Sequence, residues 1–325
     1  MRDFLLVGLG CLLVAFVVAD VFRTVLWSGQ GAGPLTGAIT ALGRRALPLL
    51  SGNRRLRSAI GPLALLAIVA TWTALLLTGF TLLLEGQPDA IRTAGTKQPV
   101  DWFERAYFVG YSLFTLGNGD LAPATDFGRV MAVAVSATGL FLLTLSVTYL
   151  LPVISASVAS RSFASSARSL GDSAEDVVLG AWDGARIQLD HQLRDLASAL
   201  GTLAEQHLAY PVLHLFQSSD TATSAPLAVA DLDDLLTLLD GVDPRVAPLA
   251  TPRRQLRSAI ETYVEIYERS WSSDAAPPAP RTDRLAAAGV PLVERQAYEH
   301  TLDALAPHRR RVRSLVRASG LERRV

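Results

Sequence analysis

Six consecutive residues, Thr115, Leu116, Gly117, Asn118, Gly119 and Asp120, carry the densest chemical information in this 325-residue chain. They contain no nucleophile paired with a base and no metal-ligand spacing. What they offer is main chain. The two glycines permit positive φ, so consecutive carbonyls can point to one side, toward an axis. A ring of such carbonyls can replace the hydration shell of a monovalent cation. Irregular backbone of this kind is tolerated at membrane depth only where it is buried in protein or lines water. The bland alternative is a Gly-Asn-Gly-Asp turn joining two membrane helices, since Asn-Gly is a common turn dipeptide. That turn gives no reason for the aromatic stretch before it, for Thr115 or for Pro123.

The elements that must position this loop are apolar. Half of the residues are hydrophobic, 18% are charged and the mean hydropathy is +0.30. A soluble domain carries about 25% charged residues, so a purely soluble or a disordered chain is excluded. The 30 basic residues balance 30 acidic ones, which implies no global attraction to nucleic acid. The lone Cys11 excludes an internal disulfide and a cysteine-rich metal framework. Three stretches are long enough to span a bilayer, which takes about 20 apolar residues: Phe4–Trp27, Ile60–Leu84 and Val130–Val158. The last contains Pro152, a candidate kink. Between the second and third lies a shorter aromatic run with Trp102, Phe103, Tyr107, Phe108, Tyr111, Leu113 and Phe114. It reads as a re-entrant helix capped by Asp101.

Charge sets the expected orientation. The connection after the first span carries Arg44, Arg45, Arg54, Arg55 and Arg57 and no acid, which places it in the cytoplasm. The first span is then a retained helix rather than a cleaved leader, with the N-terminus outside and everything beyond about residue 160 cytoplasmic. Leu42, Leu47, Leu49, Leu50 and Leu56 interleave with those arginines, with Pro34 and Pro48 as breaks. Two readings stand: an amphipathic helix on the anionic inner leaflet, or a solvated basic loop. Asp20 and Arg23, three residues apart, are expected to pair while Arg23 snorkels to the headgroups.

The segment from Phe103 to Gly139 resembles the pore region of tetrameric potassium channels with two core helices. That family's filter reads T-V-G-Y-G-D where this chain has T-L-G-N-G-D. The match continues in register through Leu121-Ala122-Pro123, through Gly128-Arg129, and to Gly139 at the place of the hinge glycine. Tyr107 and Phe108 stand at the aromatic pair of the pore helix. The resemblance covers residues 60–155, about a third of the chain. It implies that Thr115, Leu116, Gly117, Asn118 and Gly119 form the ion-binding filter and that Asp120 closes its outer mouth. A single chain supplies one such loop, so a homotetramer is implied.

Two departures matter. Asn118 replaces the aromatic residue that holds the family's filter at its diameter. Members with an acidic residue there conduct both Na⁺ and K⁺, so K⁺-selective and weakly selective conduction both stay open. Behind the filter, Phe108 and Tyr111 occupy positions that in many channels bond the filter aspartate. Phe108 cannot donate a hydrogen bond. The Tyr111 hydroxyl is therefore expected to approach Asp120 or the Asn118 region, the alternative being that Tyr111 only fills space. With Gly139 as anchor, Leu140, Leu143, Val147 and Leu151 are expected to line an apolar cavity that gates by dewetting. Thr144 and Thr148 either face that cavity or bond back to their own helix.

Residues 159–325 change character, with more charge and with polar breaks at Ser218–Ser224 and Ser272–Thr282. Ser155–Ser173 reads as a linker or a helix continuation. Leu189, Leu193, Leu196, Leu200 and Leu203 step by four and three, which favours a core-facing helix over a coiled coil. Further helices are expected at 226–240, 252–271 and 291–318. No G-x-G-x-x-G motif and no barrel pattern occurs, which argues against nucleotide-binding modules. His191, His207 and His214, with Glu205 nearby, are spaced too widely for one metal site on a straight helix. The basic tail, Arg309, Arg310, Arg311, Arg313 and Arg317, can touch anionic lipid, pair with Asp231, Asp233 and Asp234, or stay solvated.

The expectation is an all-α membrane protein in four parts. They are an N-terminal transmembrane helix (1–27), a basic interfacial linker (28–59), an ion-channel pore (60–158, filter 115–120) and a helical cytoplasmic domain (159–325). The implied activity is conduction of K⁺, or of Na⁺ and K⁺, across the cell membrane. No cofactor or metal is expected beyond the permeant cation. The gate would lie at the inner helices, with the helical domain as a candidate regulator. The rival is a membrane-anchored scaffold whose pore no longer conducts. No nucleophile–base set or phosphate loop supports an enzyme.

Overall fold

The computed structural model describes residues 1–27, 31–50, 53–218, 220–267 and 275–319, the side chains of Pro48, Arg54 and Ala318 aside. Three helices are long and apolar enough to cross a membrane: α1 (Arg2–Val25), α3 (Arg54–Glu85) and α5 (Asp126–Arg168). Between α1 and α3 lies α2 (Pro34–Leu49). Between α3 and α5 come β1 (Ile91–Thr93), α4 (Trp102–Leu113) and β2 (Leu121–Pro123). The fold is that of an all-helical membrane protein, with one small two-stranded sheet among the described residues.

The chain divides into two compact units. The first comprises Met1–Gly43, Pro62–Val153 and Tyr210–Val212. The second comprises Arg44–Gly61, Ile154–Ala209 and Leu213–Val325.

In the first unit α1 packs on α3 through small residues. A Cβ on Gly10 would lie 2.7 Å from the Gly79 carbonyl, and one on Gly79 2.8 Å from Val14 Cγ2. Small residues let helix backbones approach where lipid offers no hydrophobic drive. On α5 the buried positions Val135, Gly139, Leu142, Ser146, Tyr149 and Val153 recur every three or four residues and form one face. A Cβ on Gly139 would fall on the Leu113 carbonyl, so only glycine lets α5 pass the end of α4. The helix α4 starts as expected. Asp101 Oδ1 accepts from the Glu104 amide and Glu104 Oε2 from the Asp101 amide, both at 2.8 Å, a reciprocal cap. The pairing of Ile91 with Pro123 and of Thr93 with Leu121 was not anticipated. Strands of three residues are too short for alternation to reveal.

The serine-rich stretch resolves as helix, since α5 runs unbroken through Pro152 to Arg168. Its last turns bring Phe163, Ala164 and Ala167 into the core of the second unit. That core is completed by α6 (Ala174–Ala181), α7 (Asp190–Ala209), α8 (Ala225–Leu239), α9 (Ala250–Tyr267), α10 (Asp283–Ala287) and α11 (Arg295–Ala318). Leu189, Leu193, Leu196, Leu200 and Leu203 are all buried in it, so core packing is the right reading of that stripe. The expected extension of the second helix to 271 and the start of the break at Ser272 lie outside the described residues. A polar cluster joins α8, α9 and α11 through the hydrogen bond Asp233–His308 (3.0 Å) and the ion pairs Asp240–Arg257 (2.8 Å) and Asp234–Arg309 (2.7 Å). For Arg309, pairing with the α8 acids is therefore the reading that holds.

Candidate functional site

The loop after α4 is built on the end of that helix. The amides of Phe114, Thr115 and Leu116 donate to the carbonyls of Gly110, Ser112 and Tyr111 at 3.1, 3.0 and 2.8 Å. The chain then leaves helical geometry in a regular way. Thr115, Gly117 and Gly119 have φ of +56°, +63° and +78°, while Leu116 and Asn118 keep negative φ. Alternation of the sign of φ is the pattern that allows successive carbonyls to turn to one side. A β-branched residue in the left-handed region costs about 1–2 kcal/mol, so Thr115 is held there by its surroundings. Space around Gly117 is open; its backbone angle, not crowding, demands glycine. Among the described residues no carbonyl from Thr115 to Gly119 accepts a hydrogen bond. The ladder resumes at Asp120, whose carbonyl accepts from the Ala94 amide at 2.9 Å, and continues into β2.

Two tyrosines of α4 support this loop, and their roles differ from the expectation. The Tyr111 hydroxyl donates to the Leu121 carbonyl at 2.9 Å, not to Asp120 or the Asn118 region. The Tyr111 ring is buried with Phe108, centroids 5.3 Å apart. A buried phenol needs a buried acceptor. Leu121 supplies one where β2 begins, while Asp120 is exposed. Asn118 is held instead by Tyr107, whose hydroxyl accepts from the side-chain amide at 2.6 Å. Sequence reasoning placed Tyr107 at the aromatic pair of the pore helix by resemblance and gave it no bond. It also missed Arg105, which pairs with Glu85 at the end of α3 and donates to the Pro88 carbonyl. A signal was present: these are opposite charges flanking apolar segments.

On α5 the expected cavity residues Leu140, Leu143, Val147 and Leu151 are exposed in the single chain, by 60, 64, 49 and 60%. They lie opposite the buried face. Thr144 and Thr148 bond back to their own helix, to the Leu140 and Thr144 carbonyls, both at 2.9 Å.

Three expectations away from the loop need correction. Asp20 does not pair with Arg23. It is buried and accepts from the Leu35 amide (2.7 Å), Thr36 Oγ1 (2.9 Å) and Trp72 Nε1 (2.8 Å), capping α2 and gripping α3. A buried carboxylate gains more from fixed donors than from a cation that reaches solvent. Arg57 is buried rather than lipid-facing, because it donates to the Ser319 carbonyl at 2.8 Å, at the negative end of α11. Arg44, Arg45 and Arg55 are exposed, whereas the Arg54 side chain lies outside the described residues. His207 and His214 are brought together, ring centroids 5.4 Å apart, but inside an aromatic cluster with Tyr263 and Tyr267. Burial holds them down to about 4 and about 3 respectively, His214 also through His207 and Arg44. Among the described residues no group of three potential metal ligands occurs.

Comparison with known proteins adds two findings. Residues 65–156 match the family described as "Ion channel". A curated relative, "Uncharacterized membrane protein YdjJ" of Bacillus subtilis (strain 168), is 33% identical over 314 residues, 95% of this chain and 92% of the relative. No solved structure matches.

Proposed function

The chain belongs to the same membrane-protein family as the B. subtilis relative and carries an ion-channel domain, and from that premise we propose that four copies assemble a cation pore. The observation that carries this reading is the alternation of φ at Thr115, Gly117 and Gly119, with five successive carbonyls left unpartnered among the described residues. Unpartnered carbonyls cannot face lipid. Around an axis they form a stack of oxygen rings that strips and replaces cation hydration. The uncovered apolar stripe of α5 then faces the other copies and the cavity below the rings. Gly139 packs against Leu113 and sits where the hinge is expected.

The permeant ion is K⁺, with Na⁺ admitted to the degree that Asn118 leaves the rings compliant. The N-terminus lies outside and the helical unit in the cytoplasm, by the arginine asymmetry of the α2 region. Arg44, Arg45 and Arg55 meet the anionic inner leaflet, where the exposed Leu42 and Leu49 of α2 enter the headgroup boundary. The test is a bi-ionic reversal potential in a planar bilayer with K⁺ on one side and Na⁺ on the other. A potential near the K⁺ equilibrium value means a selective filter. A potential near zero with resolved single-channel steps means a weakly selective one. Silence of both the full chain and a chain lacking 161–325 refutes conduction.

A further inference from the structure

We propose that the turn after α7, Tyr210 to Gln217, couples the C-terminal helical unit to the movement of α5. The inference rests on the channel reading and adds its regulation. Tyr210–Val212 fold with the first unit although the residues on both sides belong to the second. The Tyr210 ring meets that of Tyr149 edge-on, centroids 5.9 Å apart. Tyr149 lies on the buried face of α5, is 1% exposed, and meets Trp72 of α3 at 6.5 Å. The Trp72 indole is held in turn by Asp20, the carboxylate that caps α2. One aromatic relay thus touches the turn, α5 and α3, and ends at the joint between α1 and α2.

The far end of the turn is anchored differently. The Phe216 ring lies against Gly61 of α3, where a Cβ would come within 2.7 Å of Phe216 Cδ2. Gln217 Oε1 accepts from Arg57 Nη2 at 3.3 Å, and the same nitrogen caps α11 through Ser319. Between the anchors Pro211–Leu215 form a 3₁₀ turn, a short hydrogen-bonded segment with little slack. On this proposal the short turn itself is what passes a shift of its Phe216–Gln217 end on to Tyr210.

Tyr149 is suited to a two-position role. Its hydroxyl is buried with no partner among the described residues. An unmade buried bond is unfavourable, so packing alone holds the ring here. A movement of α5 that brought the hydroxyl to an acceptor would be favoured by the new bond, and it would have to displace the ring that Tyr210 touches.

The experiment is single-channel recording of the full chain as wild type, Tyr210→Ala, Tyr210→Leu, Tyr210→Phe, Tyr149→Ala and the double alanine variant, with open probability and K⁺/Na⁺ reversal potential read together. Tyr210→Ala is expected to change the open-to-closed ratio about two- to tenfold, the range for an aromatic pair, with the reversal potential unmoved. Tyr210→Phe keeps the ring and should match wild type. Tyr210→Leu keeps volume without the ring, should follow alanine, and serves if alanine fails to assemble. The double variant should be non-additive. Wild-type gating in both Tyr210→Ala and Tyr210→Leu overturns the coupling while leaving conduction standing. So does an additive double variant, or a reversal potential that moves with the gating. Silence of the wild type both as the full chain and without residues 161–325 sinks the channel reading itself, and the coupling with it.

Discussion

Acidification from pH 7 to 4.5 should loosen the C-terminal helical unit through two histidines that are buried neutral. His207 of α7 and His214 of the following turn sit among Tyr263 and Tyr267 of α9, with Arg44 acting electrostatically on His214. The His207 Nδ1–H donates to the Leu203 carbonyl at 2.8 Å. Burial lowers His207 to about 4 and His214 to about 3, whereas both titrate near 6.5 in an unfolded chain. The unfolded state therefore binds more protons as pH falls below about 6.5. The stabilisation is complete above that value and is lost as pH drops toward the folded values. At pH 4.5 the loss from the two histidines together is on the order of a few kcal/mol. A typical domain has only about 5–15 kcal/mol in total. Asp183 and Asp243, held near 2 by hydrogen bonds from Gln188 and Arg245, stay ionised across this window and do not confound it. The assay is thermal unfolding of the full chain in detergent at pH 7, 6, 5 and 4.5. It is compared with His207→Gln/His214→Phe, in which glutamine retains a donor for Leu203. The melting temperature should fall steeply for wild type and much less for the variant. Parallel falls would refute the reasoning.

Three further outcomes are expected. Gly139→Ala drives a methyl into the Leu113 carbonyl and should destabilise the first unit by about 1–3 kcal/mol; an unchanged melting temperature would mean that α4 and α5 do not approach as described. Glu85→Gln removes the partner of a buried guanidinium and should cost about 3 kcal/mol. Adding Arg105→Met should recover part of that loss, and a double variant less stable than Glu85→Gln alone would contradict the pairing. Tyr107→Phe and Tyr111→Phe should separate two kinds of support. The first frees an exposed Asn118 amide and should move the K⁺/Na⁺ reversal potential with little effect on melting. The second orphans the buried Leu121 carbonyl and should cost about 1–3 kcal/mol. The opposite pattern would reverse the assignments.

The three long apolar helices, the short helix α4 and its Asp101 cap were legible because each depends on local pattern: run length, aromatic clustering, and a carboxylate three residues before Glu104. The leucine stripe of α7 was legible for the same reason. What could not be read is set by partners far apart in the chain. Asp20 looked like half of a local pair with Arg23, yet its donors come from positions 35, 36 and 72. Arg57 looked like a lipid anchor within a basic run, yet its acceptor is residue 319. The Tyr111 hydroxyl was expected at a carboxylate because charge attracts donors. Burial decided otherwise, giving the phenol a main-chain acceptor and leaving Asp120 in water. Tyr107 shows the limit of resemblance: with an asparagine in place of an aromatic residue, the bond that restrains the loop is new.

The length of α5 has a mechanical consequence. Its 43 residues rise about 65 Å as one hydrogen-bonded rod, beginning just after β2 and ending inside the leucine core of the helical unit. Twist applied to the rod at Phe163 is shared by every turn back to Gly139, apart from the rung that Pro152 removes. A truncation intended to release the loop must cut the rod above Phe163, or a frayed core will remain attached to it.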